Sequence, residues 1–252
     1  MSINREKIFV VIPVYNEKES LYKVISETKD ILPESKIIVV DDGSDPPVRL
    51  IKNPKLILLR HENNMGYGAS LMSGIEFSIS DGAEIIITID ADGQHFPKRI
   101  PDFLDKIKNN DFVSGSRYHP LSLKLSEPPS DRRIINIIIT EILKELTGFN
   151  ITDSFCGFKC FKSYFFENFI SEEKGYGFPL ELWYYAYKFK FKFEEVPCEL
   201  YYPIKKEFPG NLRDQEKRLE YYLKILEKKF KAKLVEKGFK MLKNYLRKDQ
   251  HE

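Results

Sequence analysis

The sequence predicts an α/β fold with a mostly parallel β-sheet and helices on both of its faces. Four short runs of mainly β-branched and aliphatic residues are typical of strands that are buried on both sides. Segments with the apolar spacing of helices, at residues 17–32 and 67–80, alternate with these runs, and such alternation produces parallel strands joined by right-handed crossovers. The four runs are residues 7–14, 36–40, 56–59 and 84–89.

The remainder of the 252-residue chain continues the alternation and then changes in charge. A Pro- and Ser-rich stretch at 118–129 indicates a mobile loop. We expect an α/β domain over 1–204 and a helical tail over 205–252, because the tail has fifteen Lys or Arg against eight Asp or Glu, a balance of +7, within a chain of net charge +2. The other predicted elements are helices at 96–109 and 134–146, a helix that begins near residue 181, and strands at 111–116 and 191–202.

Two carboxylates and one amide follow the fourth apolar run directly. Asp90, Asp92 and Gln94 lie two residues apart, so their side chains would point to one side of an extended segment. They would lie at the carboxyl end of a strand, where ligands bind in open α/β sheets. Hard oxygen donors there suit Mg²⁺ or Mn²⁺ on a nucleotide diphosphate. A polar turn or a helix cap would show the same Asp-x-Asp pattern if it stood alone.

The pattern does not stand alone, because other strands also end in acidic residues. Glu17 follows the first run, and Asp41 and Asp42 follow the second. Carboxyl ends of parallel strands share one edge of a sheet, so these groups would converge on one acidic rim. Such a rim is unfavourable through like-charge repulsion unless a cation or hydrogen-bond donors, such as ribose hydroxyls, occupy it.

Six motifs in order resemble those of family 2 glycosyltransferases of the GT-A fold, and more narrowly the dolichyl-phosphate mannose synthase and polyprenyl-phosphate glycosyltransferase branch. They span about residues 7–203. The motifs are IPVYNE (12–17), VVDDGS (39–44), NMGYGASLMSGI (64–75), DADGQHFP (90–97), GSRY (115–118) and DSFCGFKCF (153–161).

The resemblance implies a metal-dependent, inverting transfer of a hexose, mannose or glucose, from a GDP- or UDP-sugar to a polyprenyl or dolichyl phosphate. The divalent metal would be held by Asp90, Asp92 and Gln94. Arg117 and one of Arg132 or Arg133 would hold the acceptor phosphate. The nucleotide sugar would contact Pro13, Tyr15, Glu17, Asp41, Asp42, Asp90, Ala91, Asp92 and Gln94.

Two kinds of acceptor remain open, and they need different residues. A polyprenyl monophosphate loses its second proton near pH 6, so its oxygen needs placement and charge neutralisation by arginines but no base. A hydroxyl acceptor on a glycan or a small metabolite would need a carboxylate to take its proton, and by resemblance Glu181 would be that base. A catalytically inactive GT-A domain that serves as a binding subunit is a third hypothesis.

The basic motif that follows the last strand in polyprenyl-phosphate mannose synthases, Arg-x-x-Gly-x-Ser-Lys, is absent as such. The corresponding stretch reads YYPIKKEFPGNLR, in which Lys205, Lys206 or Arg213 would take the place of its basic residues.

The tail has an amphipathic pattern over 211–247 with a break near Gly238. It predicts either a helical hairpin that covers the catalytic domain or forms a homodimer, or a helix on an anionic membrane surface. Nothing in the tail resembles a nucleic-acid-binding module. The start MSINREK and the absence of a long uncharged apolar run favour a cytoplasmic protein that is at most peripheral to the membrane. Three cysteines without zinc-binding spacing favour free thiols.

Overall fold

A computed structural model describes residues 4–17, 19–202 and 208–248. The strands are β1 (Ile8–Val14), β2 (Lys36–Asp41), β3 (Leu56–Arg60), β4 (Ile85–Thr88), β5 (Phe112–Ser116), β6 (Lys159–Lys162) and β7 (Phe193–Pro197). They form one seven-stranded sheet in the order β3-β2-β1-β4-β6-β5-β7. All neighbouring strands are parallel except β6, which runs antiparallel to both β4 and β5. The predicted α/β fold with a mostly parallel sheet is confirmed.

Helices cover both faces of this sheet. They are α1 (Glu19–Ile31), α2 (Tyr67–Ser80), α3 (Ile100–Lys106), α4 (Ser130–Thr147), α5 (Phe178–Phe189), α6 (Gln215–Phe230) and α7 (Val235–Lys248). Short 3₁₀ turns lie at Arg5–Lys7, Pro97–Arg99, Ile107–Asn109, Ser163–Phe166 and Gly210–Arg213.

Side chains of β1 alternate between two cores, as the period of a strand requires. Val10 and Ile12 pack into the layer that contains Leu21 of α1, whereas Phe9 and Val11 pack into the larger layer beneath α2 and α4 to α7. The sheet is therefore buried on both faces. This burial is why the central strands β1, β2 and β4 are nearly continuous apolar runs, whereas the edge strands β3 and β7 are only partly buried.

Several element boundaries differ from the predicted ones. The predicted helix at 96–109 is a short α3 with a 3₁₀ turn at each end, and Pro101 lies in its first turn, where its missing N–H needs no partner. Helix α4 begins at Ser130, four residues earlier than predicted. Strand β7 ends at Pro197, whereas the prediction extended to residue 202. Beyond it the backbone bonds to the loop at 118–129, since Leu200 N–H donates to the Leu123 carbonyl at 2.9 Å.

The tail is a helical hairpin that packs on the α/β domain. Leu219, Leu223 and Leu226 of α6 and Leu242 of α7 are buried in the same core layer as α4 and α5. The predicted break near Gly238 is wrong: α6 ends at Phe230, α7 begins at Val235, and Gly238 lies inside α7 against Leu223. Across the described ranges, no helix combines the length and the apolar character needed to cross a membrane.

Candidate active site

Asp90 lies just beyond the carboxyl end of β4 and is held from three sides. The Tyr67 hydroxyl donates to Asp90 Oδ1 at 2.9 Å, and His95 Nδ1 lies 3.5 Å from Asp90 Oδ2. On the third side is Gly157, where a Cβ atom would stand only 2.5 Å from Asp90 Oδ2. Thr88 of β4 fixes this glycine by donating from Oγ1 to its carbonyl at 2.7 Å. The Asp90 carboxylate is therefore confined, yet its side chain remains 28% exposed.

Asp92 is held by the turn that follows it. The Gln94 backbone N–H donates to Asp92 Oδ1 at 3.0 Å, and the Gln94 side-chain amide donates to Oδ2 at 2.9 Å. Gly93 in this turn has φ of +73°, in the left-handed region that favours glycine. Burial, and then the negative charge of Asp90, raise the pKa of Asp92. Two carboxylates are thus close enough to repel each other.

This pair fits a divalent metal that is shared with a substrate. Among residues 4–17, 19–202 and 208–248, no group of three His, Cys, Asp or Glu side chains could hold a metal by itself. Mg²⁺ is commonly bound by one or two carboxylates together with substrate phosphates and water, and not by a cage of protein ligands alone. Asp90 and Asp92 match that incomplete set, and the Gln94 side-chain oxygen lies in the same turn.

His95 is a site residue to which the sequence assigned no role. It is buried, and its Nε2 atom lies 3.7 Å from Cys156 Sγ. Burial lowers the pKa of His95, but the charges of Cys156, Asp90 and Asp92 outweigh this effect and raise the pKa to about 9. The raised pKa favours the charged form of the imidazole, and the ring lies within 3.5 Å of the Asp90 carboxylate.

Asp41 and Asp42 are buried and organise the loops at the ends of β2 and β3. Asp41 accepts the Ser44 and Val48 backbone N–H groups at 2.9 and 3.0 Å and pairs with Arg60. Burial raises the pKa of Asp41, but these hydrogen bonds and Arg60 outweigh it, and the net shift is downward.

Asp42 accepts the backbone N–H groups of Met65 and Gly66 at 2.8 and 2.9 Å, and His61 Nδ1 lies 2.7 Å from its Oδ1. It therefore fixes the amino-terminal end of α2.

The residues after β1 form an open edge beside these loops. Pro13 is buried in β1, whereas the Tyr15 side chain is 53% exposed. Glu17 accepts the Ser20 hydroxyl at 2.6 Å, at the start of α1. Asn16 adopts φ of +53°, and its N–H donates to Ser44 Oγ at 2.9 Å. The first and second strand ends are thus bonded to each other.

Arg117 forms a buried pair with Asp153. Its Nε and Nη2 atoms donate to the two Asp153 oxygens at 2.7 and 3.0 Å, and its Nη1 donates to the Tyr202 hydroxyl at 3.0 Å. Burial alone would raise the pKa of Asp153, but the guanidinium and the Asn136 amide hold it well below its usual range. Three of the five N–H donors of Arg117 are therefore occupied within the protein.

Arg132 and Arg133 lie in the first turn of α4 and pack on aromatic faces. The Arg132 guanidinium carbon is 4.6 Å from the Phe208 ring centroid, and that of Arg133 is 3.8 Å from the Tyr118 centroid. Planar guanidinium groups commonly stack on aromatic rings in this way. Arg133 thus lies next to the loop that leaves β5, and Arg132 lies next to the segment that follows β7.

A line of aromatic rings connects these arginines with Asp90. Phe208, over which Arg132 lies, makes an edge contact with Tyr176 at 5.1 Å. Tyr176 in turn stacks on Tyr67 at 5.9 Å, and Tyr67 is the residue that donates to Asp90. Asp90 and Arg132 therefore border one continuous region.

Glu181 has a different environment. It is buried at the start of α5, where it pairs with Lys229 of α6 at 2.6 Å. Its oxygens also accept the Ser171 hydroxyl at 2.8 Å and the backbone N–H groups of Glu172 and Glu173, each at 3.1 Å. These bonds fasten the segment before α5 to the tail.

The region that replaces the Arg-x-x-Gly-x-Ser-Lys motif is described only in part. Lys205 and Lys206 lie outside the described residues. Arg213 ends a 3₁₀ turn, and its Nε donates to the Phe208 carbonyl at 3.2 Å.

Residues 9–169 match the glycosyl transferase family 2 domain. The chain belongs to this family. Family 2 membership makes it a glycosyltransferase, and the strand-end carboxylates described above lie inside the matched segment. Tyr67, His95, Cys156 and Gly157 also fall within motifs that the sequence contains, but their contacts with the carboxylates required the structure.

Three characterised relatives transfer sugars to polyprenyl carriers according to their names. Undecaprenyl-phosphate mannosyltransferase of Micrococcus luteus is 28% identical over 200 residues, covering 76% of this chain and 82% of that protein. Polyprenol monophosphomannose synthase of Mycolicibacterium smegmatis is 27% identical, covering 76% of each chain. UDP-N-acetylglucosamine–dolichyl-phosphate N-acetylglucosaminyltransferase of Methanococcus voltae is 31% identical, covering 61% of this chain and 68% of that protein.

Solved structures confirm the GT-A fold of this family 2 chain. Glucosyl-3-phosphoglycerate synthase of Mycobacterium tuberculosis, in complex with Mn²⁺, UDP and glucosyl-3-phosphoglycerate, superimposes with a TM-score of 0.66. The match covers 90% of this chain and 80% of that one at 14% sequence identity. The same enzyme has also been crystallised with Mg²⁺ and UDP.

Proposed function

We propose that this enzyme transfers a hexose, mannose or glucose, from a GDP- or UDP-sugar to a polyprenyl phosphate, with Mg²⁺ or Mn²⁺ and with inversion at the anomeric carbon. The observation that carries the proposal is the position of the α4 arginines. Arg132 borders the same region as Asp90, to which it is joined through Phe208 and two tyrosine rings. The names of the relatives from M. luteus, M. smegmatis and M. voltae support a polyprenyl carrier as the acceptor.

In this proposal the donor diphosphate lies over the β4 end. Asp90 and Asp92, with the Gln94 oxygen, would hold the divalent metal, which would supply Lewis-acid stabilisation of the charge on the leaving nucleoside diphosphate. His95 is a positioning residue that keeps Asp90 in place. Pro13, Tyr15, Glu17 and the Ala91 backbone line the nucleoside side, and Asp41 and Asp42 shape that pocket by holding its loops.

The acceptor phosphate lies against Arg132 and Arg133. One of its oxygens attacks the anomeric carbon as the bond from that carbon to the donor phosphate oxygen breaks, so a single displacement inverts the configuration. The nucleophile is already anionic near neutral pH, and two guanidinium groups suffice to place and neutralise it. Arg117 supports this region by fixing Asp153 and Tyr202, since most of its donors are already occupied.

The rival acceptor, a hydroxyl compound, would need a free carboxylate as base. Glu181 is the candidate, but Lys229 and two backbone N–H groups already occupy its oxygens. Glu181→Gln should therefore retain transfer to polyprenyl phosphate, whereas Arg132→Ala and Arg133→Ala should each reduce it. The opposite order, with Glu181→Gln inactive and both arginine variants nearly normal, would favour the hydroxyl acceptor.

The direct test follows label from a panel of GDP- and UDP-sugars into a polyprenyl phosphate, with Mn²⁺ or Mg²⁺ and with chelator. Formation of a lipid-extractable product that stops with chelator and in Asp92→Ala supports the proposal and identifies the sugar. Slow metal-dependent hydrolysis of a nucleotide sugar without formation of a lipid product would indicate that the acceptor is a hydroxyl compound. Metal-dependent donor binding without turnover on any acceptor would support an inactive binding subunit.

A further inference from the structure

Three exposed leucines lie close together on the loop that follows β5. Leu121, Leu123 and Leu125 are 78%, 57% and 48% exposed. Single apolar residues on a protein surface need no explanation, but a cluster of large apolar side chains marks an interaction site. We call residues 118–126 the leucine loop.

The leucine loop has no helix or strand of its own, yet its backbone is fastened to the domain. Leu125 N–H donates to the Leu200 carbonyl at 3.0 Å, and the Leu123 carbonyl accepts the Leu200 N–H at 2.9 Å. The Ser122 hydroxyl donates to the Ser116 carbonyl at 2.8 Å. These bonds satisfy backbone groups beside the leucines, so transfer of this segment into an apolar medium leaves fewer unpaired polar groups.

The loop joins the proposed acceptor region without a gap. It begins next to Arg117, it includes Tyr118 on which Arg133 lies, and it leads through two prolines to α4. Lys124 within the loop pairs with Glu127 at 2.5 Å, and Asp131 pairs with Arg218. The local acidic groups Glu127 and Asp131 are thus paired, and Arg133 places a positive charge on Tyr118, at the start of the leucine loop. Apolar side chains next to cations are complementary to a bilayer with anionic headgroups.

We propose that the leucine loop inserts Leu121, Leu123 and Leu125 into the boundary between headgroups and acyl chains of a lipid bilayer. This inference deepens the proposed function and rests on it for its purpose, because a polyprenyl phosphate holds its phosphate at the membrane surface. Docking through the leucine loop brings Arg132 and Arg133 to the membrane surface, at the depth of the acceptor phosphate. The apolar stripe of the amphipathic tail is not available for membrane docking, because it is buried against the α/β domain.

Insertion can be measured with a tryptophan placed in the leucine loop, against the constant background of the buried Trp183. The chain has one Trp, Trp183, which is 1% exposed. In Leu123→Trp, the fluorescence should shift to the blue and be quenched by brominated lipid when vesicles of phosphatidylcholine and phosphatidylglycerol are added. The matched control is Ile51→Trp, which replaces a 76% exposed residue in the segment between β2 and the edge strand β3 and should show neither change. Absence of both changes in Leu123→Trp overturns the proposal.

Partitioning of the full-length chain gives a second readout. Replacement of all three leucines by Ser should weaken vesicle binding by about tenfold or more, because each leucine loses apolar burial. Ile170→Ser, at an 82% exposed position outside the loop, should leave binding unchanged. Equal binding by the triple variant and the parent chain overturns the proposal. So does binding that needs the leucines but occurs only with protein-containing membranes, since the partner would then be a membrane protein.

Activity on two acceptors separates this inference from the proposed function. The triple variant should keep transfer to a water-soluble, short-chain isoprenyl phosphate and lose most of its transfer to the same phosphate on a long chain in vesicles. Equal losses on both acceptors overturn the docking role. If the parent chain transfers to neither acceptor, the proposed function fails, and the fluorescence shift of Leu123→Trp still decides whether the loop enters the bilayer.

Discussion

Substitution of Gly157 by Ala should disturb the metal site without unfolding the protein. The added Cβ would lie 2.5 and 2.7 Å from the two Asp90 oxygens and 2.6 Å from the Tyr67 hydroxyl. Ordinary contact begins at 3.4 Å, so the Asp90 carboxylate must withdraw by roughly 0.9 Å. The backbone at Gly157 is outside the positive-φ region, so alanine adds no conformational strain there.

The expected loss follows from the precision that metal ligation needs. Ligand distances in metal sites are set within about 0.2 Å, and disturbing the groups around a ligand typically reduces metal affinity by about 10 to 100-fold. A displacement near 1 Å at a reacting centre reduces turnover by about 10²-fold. We expect both effects in Gly157→Ala.

The assay is binding of GDP- and UDP-sugars titrated against Mn²⁺, beside turnover with the best donor. Gly238→Ala is the matched control, because its Cβ would crowd Leu223 Cδ1 where α7 packs on α6, without touching Asp90. This control should lose stability but keep the metal dependence of the folded enzyme. A folded Gly157→Ala protein with unchanged Mn²⁺ dependence would refute the assignment of Asp90 as a metal ligand.

Other expected outcomes concern stability, pH and metal. Asp153→Asn should lower the free energy of unfolding by about 3–5 kcal/mol in denaturant titrations, because it leaves the buried Arg117 without its counter-charge; a loss below 1 kcal/mol would contradict this. The lowered pKa values of Asp153 and Asp41 mean that both contribute stability above their unfolded value of 3.8 and lose it as the pH falls through the folded values. Acid should therefore destabilise the parent chain, and Asp153→Asn should show a shallower decline below pH 3.8. Leu223→Ala should cost about 2–5 kcal/mol, whereas Leu246→Ala, at a 39% exposed position of the tail, should cost little; similar small costs would show that the tail is not part of the core. Chelator should abolish donor binding and leave the thermal midpoint of the ligand-free protein unchanged.

Much of the fold and part of the site were predictable from the sequence because the determining signals are local. Apolar runs identify the four strands up to β4, since strands buried on both faces, as β1, β2 and β4 are, consist mostly of apolar residues. Asp90 and Asp92 are recognisable because they follow such a run immediately. A sheet with parallel strands necessarily collects its strand ends at one edge, so the acidic edge could be inferred without coordinates.

The interaction partners of individual charged side chains could not be predicted from such local signals. Arg117 bonds to Asp153, which is 36 residues away in the sequence, and Glu181 bonds to Lys229 across two helices. In the sequence, Arg117 was expected to hold the acceptor phosphate, and Glu181 was expected to act as the base for a hydroxyl acceptor. The partner of a charged side chain is a residue that folding brings within about 4 Å of it. The spacing of residues along the chain does not reveal that partner.

The sequence by itself determined the family, the mostly parallel sheet, the position of Asp90 and Asp92 at the end of β4 and the helical nature of the tail. Only the tertiary structure decided that β6 runs antiparallel, that His95 and Gly157 enclose Asp90, and that the tail buries its apolar stripe against α4 and α5. The physical reason is the range of the interactions: periodicity and turn chemistry act over a few residues, whereas packing and charge pairing join residues that are distant along the chain.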